Sequence, residues 1–517
     1  MTGVCTPSQD YMADITDKIV QMRAMVDAGA YFTVNRARQY GKTTVLQALK
    51  NSLYKDYIVS GISFEGLGGM AFSDESRFCL AFDALFAKSL RFSSADSNAV
   101  RKWNAYEKKT ENFMSLSEKI TDFCAGQNVV LLVDEADQAT NYQVFLHFLG
   151  MLREKYQARK IGEDFTFYSV VLAGVYDVKN IKLRLIEQGY SSLGDGEAKF
   201  NSPWNIAADF RVDLSLSAEE IRSMLSAYEA DHHRDMDVSK TAFRIREYTG
   251  GYPFLVSRIC QVIDTCGLEW NDAVIQPAVK TILMEKNTLF DDISHHLENK
   301  PALRSFMYEL LILGQQKLYE RSDTIVDLAA TFGWIREEEG CAVIDNRMFE
   351  IKIANYFIAK NLEQGGGFKA TGMLAEDVIQ NGHFHMEYAL RKFAEHYEDL
   401  FQHTANRKFL EEDGRILFLT FLKPLINGKG FYHIESRTNT QRRMNLVVDY
   451  GTDQFIVELK RWYGGKKQEE ACQQLYEYLN SMHAQEGYLL TFDFRQKKQR
   501  KAEWINYKGK RIFEVVV

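Results

Sequence analysis

The spacing of apolar and polar positions divides the chain into regions of different period. Tyr31-Phe-Thr-Val-Asn35 is a short β-rich run, and after a polar loop Val45, Leu49 and Leu53 recur at the spacing of one helix face. Val129 to Val133 is continuously apolar, as expected of a strand covered on both faces of a parallel sheet. Phe165 to Leu172 reads as another such strand, closed by Gly174. Strands separated by helical stretches predict βαβ units, so residues 31 to 260 are expected to form an α/β fold around a parallel sheet.

From Ser217 to about Phe357 the period becomes mainly helical. Ser217-Ala-Glu-Glu220 is a capping box that opens one helix, and Gly250-Gly-Tyr-Pro253 interrupts another. Ile325 to Phe332, followed by Trp334-Ile335 and Ala342-Val-Ile344, has the order of a small winged helix. Three successive glycines in Glu363-Gln-Gly-Gly-Gly-Phe368 resist any regular element and place the main boundary there. Beyond it, helices are expected to about Leu425. Strands then follow at Phe431–Ser436, Met444–Tyr450, Gln454–Lys460, Gly487–Phe494 and Arg511–Val517, with a helix before the fourth. The division is 1–215, 216–362, a 363–378 linker and a second α/β domain at 379–517.

Length and composition narrow this picture. A chain of 517 residues exceeds what one core organises, which agrees with two to four domains, and 46% hydrophobic residues with only six prolines describe a folded protein. The net charge of -7 excludes neither nucleic acid nor an acidic partner. Seven scattered cysteines without a Cys-x-x-Cys pair fit reduced thiols, and no zinc site is expected from them or from the histidine pairs. No basic-then-apolar start and no apolar run of membrane-spanning length is present, so a cytoplasmic location without membrane contact is expected.

Holding a nucleoside triphosphate requires inward-pointing backbone N–H groups at a helix N-terminus, a lysine on the phosphates and a hydroxyl on Mg²⁺. Arg36-Ala-Arg-Gln-Tyr-Gly-Lys-Thr-Thr44 supplies Gly41, Lys42 and Thr43, with Thr44 following, but Arg36 stands where the usual pattern has glycine. The strand ending in Asp134-Glu135 supplies the second half: Asp134 to hold Mg²⁺ through water, Glu135 to orient an attacking water. For Arg36 and Arg38 two readings stand, contact with phosphates (their own or a neighbouring subunit's) or solvated loop charge.

These two motifs, with Leu172-Ala-Gly-Val-Tyr176, Ser202-Pro-Trp-Asn-Ile206 and Thr249-Gly-Gly-Tyr-Pro-Phe254, resemble the bacterial AAA-ATPase-like proteins that carry a C-terminal PD-(D/E)XK nuclease-like domain. The resemblance implies an AAA or STAND-like P-loop ATPase at residues 1–215. It implies a helical lid region after it, with Gly251 to Pro253 where nucleotide state is sensed, the other reading of Pro253 being the N-terminal turn of a helix. ATP and Mg²⁺ are the implied cofactors, and DNA and further copies of the chain the implied partners. ATP binding would set the arrangement of the domains.

A PD-(D/E)XK site needs two carboxylates and a lysine around Mg²⁺. Glu458-Leu-Lys460 supplies the Glu-x-Lys part, both side chains on one face of a strand. The resemblance expects an aspartate opposite Glu458. If Gly451-Thr452 is a two-residue turn, that slot holds Asn445, while Asp449 lies about 13 Å further along at roughly 3.3 Å per residue. Glu435 and Glu412 are the candidates to compensate, and Gln474 is implied as a supporting residue. Two outcomes stay open for this half: a domain that binds and cuts DNA, or a degenerate nuclease fold that binds without cutting. The basic stretch Arg495 to Lys501, with Lys508, Lys510 and Arg511, could follow a phosphate backbone or be plain solvated charge.

Overall fold

The computed structural model describes residues 5–92, 97–139, 142–175, 204, 206–208, 210, 212–270, 272–313, 315–363, 378–402, 411–426, 430–437, 443–451, 453–462, 465–493, 495 and 501–517. Two compact units emerge, the first built from residues up to 272 and the second from 273 onward, with 247–249 counted to the second and 331–333 to the first. The glycine linker expected at 363–378 lies, but for Glu363 and Val378, outside the described residues.

The first unit is organised by a parallel sheet of β1 (Tyr31–Asn35), β2 (Ile58–Ser63), β3 (Val129–Asp134) and β4 (Ser169–Gly174) in the order β1-β4-β3-β2. A single parallel bridge from Phe32 to Ala208 continues it beyond β1. All strands therefore end at the same edge, and the loops leaving β1 and β3 open there, with β4 between them. β3 is buried up to Val133, which explains its unbroken apolar sequence. On one face an aromatic core forms where the Glu75–Arg91 helix, capped by Asp74 accepting from the Arg77 amide, sends Phe78, Phe82 and Phe86 down at four-residue spacing. β4 begins at Ser169 rather than Phe165. The Arg159 guanidinium donates to the Phe167 and Tyr168 carbonyls, taking the groups a longer strand would use.

In the second unit, the Thr324–Thr331 helix precedes β6 (Ile335–Glu338) and β7 (Cys341–Ile344), which form a three-stranded sheet with β5 (Lys317–Leu318). A short hairpin, β8 (Ile379–Gln380) and β9 (His383–Phe384), leads into a six-stranded mixed sheet. Its strands are β10 (Gly430–Arg437), β11 (Arg443–Tyr450), β12 (Asp453–Arg461), β13 (Glu486–Phe492), β14 (Lys501–Tyr507) and β15 (Lys510–Val516). Their order is β10-β11-β12-β13-β15-β14, with β12, β13 and β15 parallel. The Gly465–Ser481 helix buries Ala471, Cys472, Leu475 and Leu479 against Val447, Ile456, Leu489 and Ile512 on one face. Phe492, of the opposite parity, meets Phe393 and Tyr397 of the Met386–Gln402 helix on the other. Among the described residues no helix is long and apolar enough to cross a membrane.

Candidate functional site

The first cluster sits where β1 and β3 end. The loop after β1 turns through two left-handed residues, Gln39 (φ +58°) and Gly41 (φ +76°), and Gly41 caps the Lys42–Leu53 helix. Only glycine adopts that conformation at little cost, and left-handed residues before a helix make the kind of turn whose N–H groups can form an anion-binding concavity at the positive end of the helix. The Lys42 side chain folds back over this turn, its ammonium donating to the carbonyls of Arg36 and Ala37, both at 3.1 Å. Burial pushes its pKa down, while Glu135, Asp137 and Asp134 pull it up.

The Thr43 hydroxyl donates to Asp134 Oδ2 at 2.6 Å, and the other Asp134 oxygen accepts from the Glu135 amide at 2.9 Å. Glu135 itself sits at φ +51°, a strained conformation for a side-chain-bearing residue. Burial, with Asp137 adding to it, raises its carboxyl above the ordinary carboxylate range. Gly174, at the end of β4, is what lets Asp137 approach: a Cβ there would lie 2.9 Å from Asp137 Oδ1 and 3.2 Å from its amide nitrogen.

The remaining predicted residues of this half separate. Arg36 is turned away from the lysine: its guanidinium donates to the Asn35 and Val212 carbonyls and lies 5.6 Å from the Phe210 ring centroid. Arg38 is exposed. Thr44 accepts from the Cys5 amide at 3.3 Å. Pro253 occupies the first turn of the Pro253–Thr265 helix, and its ring is 3.8 Å from where a Cβ on Gly41 would stand. Sequence reasoning gave Tyr252 only as part of the Gly251-to-Pro253 turn and assigned no role to Asp137. The Tyr252 hydroxyl bonds the Arg38 carbonyl and its ring meets Tyr40 edge-on at 4.6 Å, so the Gly-Gly-Tyr-Pro turn braces the phosphate-type loop.

Mg²⁺ keeps several waters and takes few protein oxygens, so the test of fit is whether a hydroxyl and a carboxylate converge beside the concavity. Thr43 and Asp134 do so.

The second cluster lies on the sheet of the other unit. Register places Asn445 directly opposite Glu458 and Glu435 directly opposite Asn445, one row across three strands. The side chains of Glu435, Asn445 and Glu412 are outside the described residues. Glu458 is fully buried, and Lys460 holds its Oε1 at 2.9 Å. Asp449 pairs with Gln454 in register and accepts its side-chain amide at 2.8 Å. Gln474 does not join this network; its Oε1 is buried and accepts no hydrogen bond among the described residues. A glutamine of this helix that does engage the sheet is Gln468, six residues earlier, which donates to Thr491 (3.0 Å) and Glu514 (2.6 Å). Glu514 is neutralised by Lys501 at 2.6 Å.

A hard dication prefers several carboxylates. Here Glu458 is paired with Lys460 opposite a neutral asparagine, Glu435 is next in the row, and the described residues contain no group of three His, Cys, Asp or Glu able to hold a metal. Glu458 and Lys460, the two side chains described in this row, do not by themselves make a metal centre.

No family model matches the sequence, and no curated protein is similar to it. Among solved structures, a Walker-type ATPase of Pyrococcus abyssi is similar over 68% of this chain and 98% of its own, at 10% identity and a TM-score of 0.47. The ORC2 protein of Aeropyrum pernix, in its ADPNP–ADP complexes, matches over 68% and 97% at 11% identity and a TM-score of 0.35. The ORC1 protein of Aeropyrum pernix, in complex with DNA, matches over 68% and 94% at 12% identity and a TM-score of 0.29. Likeness at this level carries no functional weight.

Proposed function

We propose that the first unit is a P-loop ATPase module and that the second unit binds nucleic acid without cutting it. The observation that carries the first part is the convergence of the Lys42 ammonium, the Thr43 hydroxyl and the Asp134 carboxylate beside a left-handed turn at a helix N-terminus. In this reading the loop amides and Lys42 hold the β- and γ-phosphates, and Lys42 exchanges its two loop carbonyls for phosphate oxygens. Thr43 and Asp134 would hold Mg²⁺, which would neutralise phosphate charge when bound. Glu135 accepts the proton of an attacking water, its raised pKa bringing it nearer the operating pH of a general base. Tyr252 and Pro253 couple the loop to the Pro253–Thr265 helix, which gives nucleotide occupancy a route to that helix.

The non-cutting reading of the second unit rests on Glu458 facing Asn445 in register while bonded to Lys460. A cutting enzyme is the alternative, favoured by the place of Glu435 in the same row. Incubation of the full chain with single- and double-stranded DNA in Mg²⁺ or Mn²⁺, beside Lys460→Ala, separates them. Binding without cleavage is expected; metal-dependent cleavage abolished by Lys460→Ala overturns it. ATP hydrolysis measured as phosphate release tests the first unit.

A further inference from the structure

The parallel strands β12 and β13 leave the sheet at the same edge, and the residues just beyond them are built against each other. Trp462 follows β12, and its amide still donates to the Phe492 carbonyl at 2.9 Å, so the ladder fixes its backbone one step past the strand. Arg495 follows β13. Its backbone amide and Nε donate to Asp493 Oδ1 at 3.0 Å each, and its terminal nitrogen reaches Oδ2 at 2.6 Å. The Asp493 side chain is fully buried while that of Arg495 is 54% exposed. The guanidinium is thereby pinned in one plane, 4.6 Å from the Trp462 ring centroid.

Neutralising Asp493 requires only one of these bonds. The several bonds hold a flat, half-exposed cation against a partly exposed indole, two residues past Lys460 along the chain. Because Asp493 cancels its charge, the pair offers a planar, polarisable surface rather than an ionic one, the chemistry that stacks a nucleobase irrespective of its identity. A base inside a duplex is covered by its neighbours and cannot use such a surface.

We propose that Trp462 and Arg495 form a stacking platform for an unpaired nucleobase, which makes single-stranded nucleic acid the ligand class of the second unit. This rests on the nucleic-acid reading given above.

The test is fluorescence anisotropy of the full-length protein with a labelled oligothymidylate and with a duplex of equal length, for wild type, Trp462→Ala and Trp462→Phe. Loss of one stacked base is expected to weaken single-strand binding roughly 5- to 150-fold in Trp462→Ala. Trp462→Phe, which keeps an aromatic face and fills most of the same space, is expected to retain most of the affinity, and duplex binding to stay within about twofold of wild type. Unchanged single-strand affinity in Trp462→Ala overturns the platform alone, as does an equal loss for both ligands or a Trp462→Phe as weak as Trp462→Ala. Wild type binding neither ligand overturns it together with the reading on which it rests.

Discussion

Replacing Gly251 by alanine gives a sharp test of how the loop is braced. Gly251 has φ +78°, and a Cβ added there would lie 2.0 Å from the Leu216 carbonyl oxygen, while its own carbonyl accepts from the Leu216 amide at 2.7 Å. The left-handed conformation alone costs an L-residue ~1–2 kcal/mol. Relieving the collision requires moving a backbone against backbone, which breaks the Leu216 bond and adds ~1–3 kcal/mol for a buried group left unpaired. The total is about 2–5 kcal/mol, a fall in Tm of roughly 4–20 °C for a unit of this size. Gly126→Ala is the matched control. Gly126 has nearly the same φ, +76°, with nothing within 4 Å of the added Cβ, so only the conformational part of the cost applies. Differential scanning calorimetry of both variants, with ATP affinity measured on each, separates collision from conformation. Gly251→Ala is expected to lose several-fold more ATP affinity than Gly126→Ala, because Tyr252 is displaced from Arg38. Equal stability of the two variants would refute the close approach and the brace with it.

Three further outcomes follow from the same geometry. Glu135→Gln is expected to bind ATP as wild type does and to release phosphate ~10²–10⁴-fold more slowly. In wild type the rate should climb as Glu135 ionises, and because its pKa is raised this acid limb lies at higher pH than for an ordinary carboxylate; a limb in the ordinary range, or one surviving in Glu135→Gln, removes the assignment. Tyr252→Phe deletes the bond to the Arg38 carbonyl and should cost about 1 kcal/mol in chemical denaturation, with a few-fold weaker ATP affinity; no change in either dissociates the turn from the loop. Asn445→Asp places a carboxylate opposite Glu458 and should strengthen Mn²⁺ binding about 10- to 150-fold by titration calorimetry, taking ~1.5–3 kcal/mol for a charged partner. Unaltered Mn²⁺ affinity would show that this row does not address a metal.

The parts of the molecule legible in the sequence were those set by local rules. Val129 to Asp134 announced a buried strand because it is covered on both faces, and the Gly451 turn fixed the register that brings Asn445 to Glu458. What escaped depended on partners distant in sequence. The left-handed Gln39 carries no compositional mark, and the start of β4 is decided by Arg159 on another element. β14 was hidden because it is a half-exposed edge strand adjoining a run of basic residues, so it lacks an apolar signature. The choice of Gln468 over Gln474 was within reach: Gln468 heads the stripe continued by Ala471, Leu475 and Leu479, which faces the sheet. Arg36, at the start of the phosphate-type loop, was the residue whose position in sequence was least informative, since its guanidinium is drawn to Phe210 and Val212.

Titration calorimetry of the full chain with Mg²⁺-ATP, beside Lys42→Ala, addresses the central claim most directly. The gain of Lys42 on phosphate over its two loop carbonyls is the attraction between opposite full charges, taken as ~1.5–3 kcal/mol, so binding should weaken about 10- to 150-fold in the variant. ATP affinity that is absent in wild type, or equal in the two proteins, contradicts the account.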